Sequence, residues 1–83
     1  MEERIIKRLN EAFSPSRLEV IDDSEAHRGH GGWREGGGTH FNVKIRSDAF
    51  AGLSRVAAQR LVMKALKQEF EEGLHALALD ARA

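Results

Sequence analysis

The 83-residue chain contains no cysteine and no tyrosine, and only one proline and one tryptophan. Without thiols there is no disulfide framework and no thiol catalysis, and the chain alone cannot hold an iron–sulfur cluster or a cysteine-type zinc site. Its stability has to come from packing. Excess charge is also missing: 13 basic residues stand against 13 acidic ones. A protein dedicated to nucleic acid usually carries a basic excess, because phosphate neutralisation supplies most of its non-specific affinity, so this balance weighs against DNA or RNA as the main partner. No apolar run approaches the roughly 20 residues that span a bilayer. The first residues lack a signal-peptide apolar segment, and Glu2, Glu3 and Glu11 argue against an acid-poor transit peptide. The last four, Asp80-Ala81-Arg82-Ala83, carry no prenylation box. A soluble cytoplasmic protein with no membrane partner is expected.

What is present reads as one small globular domain over residues 1–83, since 41% hydrophobic and 31% charged residues suit a packed core rather than disorder. From Glu2 to Phe13, Ile5, Ile6, Leu9, Ala12 and Phe13 share one helical face, and Ser14-Pro15-Ser16 ends the helix because proline disfavours a helical residue before it. Arg17 to Asp23 alternates as a strand, with Leu18 and Val20 inward and Ile21 on the second face. A glycine-loaded loop follows over about residues 24–38. Thr39 to Arg46 alternates again, with Phe41, Val43 and Ile45 on one face and His40, Asn42, Lys44 and Arg46 on the other. The two strands are expected to pair antiparallel across a loop far longer than the usual two to five residues. Residues 47–52 suggest a single helical turn. Ser54 can then cap a main helix running from Arg55 to Glu72, whose apolar face is Ala58, Leu61, Val62, Ala65, Leu66 and Phe70 and which Gly73 ends. A last strand, His75 to about Arg82, buries Leu77 and Leu79. The expected fold is a small α+β domain of order α-β-β-α-α-β, with helices on one face of a three-stranded sheet.

Four histidines carry most of the chemistry. His27, His30 and His40 belong to or border the glycine loop, and His75 heads the last strand. Neutral imidazole suits borderline metals, and His27 and His30, three residues apart, can share one; a solvated loop with incidental histidines is the other reading. On the residues alone, His40 is a cross-strand pairing residue on a polar face, and His75 a histidine near a helix C-terminus. Trp33 is either a binding anchor or a ring folded back onto the sheet. No spacing suggests a nucleophile with its base, and Gly36-Gly37-Gly38 lacks the lysine of a phosphate loop, so an enzyme or a small-molecule substrate is not expected. Arg55, Arg60, Lys64 and Lys67 form a basic strip on the main helix, followed by Glu69, Glu71 and Glu72, which reads as a solvated mixed-charge face. Single-strand binders of KH type share this layout and grip the backbone with Gly-x-x-Gly. The corresponding stretch here is Ala51-Gly52-Leu53-Ser54, and the grip is missing.

Taken in order, Leu18-Glu19-Val20-Ile21-Asp22-Asp23-Ser24, Thr39-His40-Phe41-Asn42-Val43, the stretch from Ser47 to Ser54, Arg60-Leu61-Val62, Ala65-Leu66 and His75-Ala76-Leu77 resemble the BolA family. The likeness spans nearly the whole chain. It implies a KH-like (class II) topology and a partnership with monothiol glutaredoxins in iron–sulfur trafficking or iron sensing. In such complexes a 2Fe–2S cluster is shared: the glutaredoxin brings its cysteine and a glutathione thiolate, and the BolA partner brings two ligands, so none is bound by the isolated chain. One of these ligands corresponds to His75. The other is a loop residue, and Ser24-Glu25-Ala26-His27 is similar to the family's histidine subgroup, which implies His27 first and His30 second. The family also implies an alternative, a DNA-binding transcriptional regulator. Where it commonly has Arg-His-Arg before Leu-Val, this chain has Ala58-Gln59-Arg60, which weakens that alternative and leaves cluster ligation untouched.

Overall fold

A computed structural model describes residues 1–22 and 40–83. Helix α1 spans Glu2–Phe13, as its apolar spacing predicts, but only Ile5 and Leu9 are fully buried; Ile6 and Ala12 face out and Phe13 is half-buried. Pro15 disfavours a right-handed helical Ser14, which takes a left-handed conformation (φ 42°) with its N–H on Asn10 O. Strand β1 (Arg17–Asp22) pairs antiparallel with β2 (His40–Arg46), and β2 pairs parallel with β3 (Ala76–Arg82), giving the sheet order β1-β2-β3.

The register explains the core. Leu18, Ile45 and Ala81 lie in one row, Val20, Val43 and Leu79 in the next, and Phe41 and Leu77 beyond, all on the face that the helices cover. Phe41, Val43, Ile45 and Ala81 are buried there with Ile5, Leu9, Ala58, Val62 and Leu66, whereas Leu77 and Leu79 on the edge strand are only half-buried. The other face carries Arg17, Glu19, Lys44, Arg46, Asp80 and Arg82. Arg46 and Arg82 both hold the Asp80 carboxylate, at 3.0 and 2.9 Å. Ser47 knots the end of β2: its hydroxyl donates to Phe13 O at 2.6 Å and accepts from Ala49 N at the head of a 3-10 turn, Asp48–Phe50.

The main helix begins as expected, with Ser54 Oγ accepting from Ala57 N at 3.1 Å. It does not run unbroken to Glu72. Helix α2 covers Arg55–Ala65, Leu66 leaves helical angles (φ −98°, ψ 13°), and a short α3 covers Lys67–Glu71. Neither glycine nor proline stands at the bend. Packing sets it: Leu66 is fully buried, and the turn after it carries Glu69 to Arg4 and Arg8 of α1. Leu61, expected inward, is 39% exposed. Gly73, at φ 138°, makes the reversal into β3, a conformation that side-chain-bearing residues rarely take. Among the described residues no helix is long and apolar enough to cross a membrane.

Candidate metal centre

His75 is the last residue before β3. The reversal Glu72-Gly73-Leu74 brings it there: Leu74 is buried, its N–H donates to Glu69 O at 2.9 Å, and the next residue, His75, is exposed. Its ring lies 5.2 Å from that of His40, centroid to centroid, with the planes tilted by 55°. The parallel pairing of His40 with Ala76 produces this proximity, since it sets the first residue of β2 beside the head of β3.

His40 is the cross-strand residue its sequence suggests, but more deeply set than a polar face implies. Alternation puts it on the face away from the helices, yet it is only 5% exposed, a buried ring against His75. His27 and His30 fall outside the described residues, as do Trp33 and the triple glycine. The residues that flank them are placed: Asp22 closes β1 and His40 opens β2, and the rows Asp22–Phe41–Leu77 and His40–Ala76 set both at the end of the sheet where His75 stands. Among the described residues, no group of three or more histidine, cysteine or acidic side chains converges as a metal site.

Two charged features lie on the helices. The first escaped sequence reasoning. Glu69, taken for part of a solvated acidic run, is 0% exposed. Its Oε2 accepts from Arg4 Nη2 at 3.0 Å and Arg8 Nη2 at 3.4 Å, and its buried Oε1 has no partner. A signal existed: Glu69 continues the buried stripe of Ala58, Val62 and Leu66 at helical spacing, and Arg4 and Arg8 stand one turn apart on α1. Glu72 also binds Arg4, at 3.2 Å, and its carboxyl is held below the ordinary range by Gln68 first and by Arg4 next. The second feature is the basic strip. Arg55, Arg60, Lys64 and Lys67 are all exposed, and none of their side chains forms a hydrogen bond or ion pair with the described residues.

Fold and site together describe a small α+β module whose described residues offer one exposed imidazole at a sheet end. The BolA-like protein family model matches residues 9–83, and the chain belongs to that family. It is 51% identical over 82 residues to a Sinorhizobium protein described as an uncharacterized protein in the cobS 5' region, covering 98% of this chain and 88% of that one. It is 40% identical over 75 residues to the DNA-binding transcriptional regulator BolA of Vibrio cholerae, covering 90% of this chain and 67% of that protein. Among solved structures, the BolA domain of SufE1 from Arabidopsis thaliana superposes with a TM-score of 0.87 at 43% identity, covering 98% of this chain and 88% of that one. The chain spans only 22% of the full SufE-like protein 1.

Proposed function

We propose that this chain is a non-enzymatic cytoplasmic partner of monothiol glutaredoxins in iron–sulfur trafficking or iron sensing. In this reading His75 is one ligand to a shared 2Fe–2S cluster, and His27, or failing it His30, is the other. The observation that carries the reading is the common sheet end: exposed His75, buried His40 and both flanks of the segment containing His27 and His30 meet there. The donor set fits a shared site. Imidazole is a competent iron ligand, but two imidazoles leave most of a cluster's coordination to be filled, and the thiolates this chain lacks have to come from the partner and its glutathione. The cluster is the cargo; imidazole in place of thiolate on one iron leaves it less negative and raises its reduction potential. The chain's own contribution is to hold His75 out at a fixed place.

Mixing the protein with a cluster-loaded monothiol glutaredoxin should give a heterodimer on size-exclusion chromatography and a changed visible circular dichroism spectrum. His27→Ala should alter that spectrum more than His30→Ala, and the reverse order would move the loop ligand to His30. A second reading, DNA binding through Arg55, Arg60, Lys64 and Lys67, is supported by the lack of side-chain partners for these cations among the described residues and by the name of the Vibrio relative, a DNA-binding transcriptional regulator. Formal neutrality and the single glycine before α2 favour the first. Salt-sensitive DNA binding with no response to the glutaredoxin would favour the second.

A further inference from the structure

Among the described residues Glu69 is the one carboxylate wholly withdrawn from solvent, and it is withdrawn at a disadvantage, because Oε1 has no donor. A buried carboxylate left half unsatisfied is costly, and an apolar side chain continuing the same stripe would avoid that cost. Stability alone does not account for it. What distinguishes Glu69 is what meets there. Its side chain is clamped to α1 by Arg4 and Arg8, while its carbonyl accepts from Glu72 N at 3.2 Å and Leu74 N at 2.9 Å, the two ends of the reversal that delivers His75. Helix α3 has five residues, too few to fix its own position, and Gly73 is a permissive joint. The direction in which the chain leaves α3 is therefore set from α1, chiefly through Glu69, with the exposed Arg4–Glu72 pair beside it.

We infer that Glu69 is a positioning residue for His75: by tying α3 to α1 it sets the reach and angle at which the imidazole is offered beside His40. The inference rests on the proposed ligand role of His75 and extends it to α1. Glu69→Met removes the clamp and keeps the volume, Glu69→Gln keeps an accepting oxygen for the guanidiniums, and Arg4→Gln loosens the clamp from a side chain 40% exposed. Asp80→Asn, which removes an ion pair within the sheet, is the control. Two quantities are read: the nuclear Overhauser contact between the His40 and His75 rings in the free protein, and the affinity for cluster-loaded monothiol glutaredoxin by visible circular dichroism. Folded Glu69→Met should lose the ring contact and bind about tenfold more weakly, the lower end of what removing a partner outside the ligand shell does. Arg4→Gln should move both readouts the same way by less, Glu69→Gln should keep most of the contact, and Asp80→Asn should change neither. A folded Glu69→Met with the ring contact and affinity of the wild type overturns the inference. If Glu69→Met does not fold, an unchanged Arg4→Gln overturns it instead. Should His75→Ala leave the spectrum of the mixed complex unaltered, the ligand role itself fails, and the ring contact still reads the positioning separately.

Discussion

Replacing Glu69 by methionine should leave the stability of the free protein close to that of the wild type, although it deletes a buried charge with two ion-pair partners. Breaking a buried pair usually costs about 3–5 kcal/mol because the surviving charge stays buried and uncompensated. Here the survivors are not buried: the side chains of Arg4 and Arg8 are 40% and 41% exposed, and Arg4 retains Glu72 at 3.2 Å. Two partly solvated contacts of this kind contribute about 1–2 kcal/mol together. Against that, the undonated Oε1 carries a penalty of about 1–3 kcal/mol, which a thioether does not incur. The terms nearly cancel. Glu69→Met is expected within about 1 kcal/mol of the wild type, a Tm shift of no more than roughly 8 °C for a domain this size. Glu69→Ala removes the same charge but leaves the space empty, and should cost about 2–5 kcal/mol more than the methionine variant. Urea unfolding followed by far-ultraviolet circular dichroism measures all three proteins. A loss of about 3 kcal/mol or more in Glu69→Met would refute the reasoning, since it would mean that the ion pairs themselves hold α1 to α3 energetically.

Two further outcomes follow from the same geometry. Ser54→Ala deletes the side-chain acceptor for Ala57 N and should cost about 1 kcal/mol in urea unfolding, while Ser54→Gly should cost only a few tenths relative to Ser. Asp80 is held below its usual carboxylate range, by Arg46 first and Arg82 next, so its folded pKa lies under its unfolded one. The stabilisation is present above the unfolded value and is lost as the pH falls from about 4 through the lower folded value. Asp80→Asn should flatten the acid limb of the stability profile in that window and leave the neutral region parallel to the wild type; an unchanged acid limb would contradict the assignment.

Most of the fold was legible because its periodicities are clean. The 3.6-residue spacing of Ile5 and Leu9, the alternation of Phe41, Val43 and Ile45, the proline after α1 and the serine before α2 each specify their element through local physics. What was hidden depends on tertiary contact. The bend at Leu66 has no local marker, because it serves Glu69, and the partners of Glu69 lie more than 60 residues earlier in the chain. His40 reads as a cross-strand pairing residue, and only the parallel pairing of β2 with β3, joined through two helices, reveals that it meets His75. The place of His75 at the head of the last strand was legible from Gly73 and the alternation after it. Its chemical role was not, since a single imidazole at a strand end reads equally as a structural residue until a family likeness gives it a partner.

The most direct test of the account is the visible circular dichroism spectrum of the mixed complex formed with a cluster-loaded monothiol glutaredoxin and glutathione, compared between the wild type and His75→Ala. The wild type should give a new spectrum that the variant, folded by its amide resonances, fails to produce. The same spectrum from both proteins would contradict it, because the exposed imidazole at the head of β3 would then have no place in the shared site.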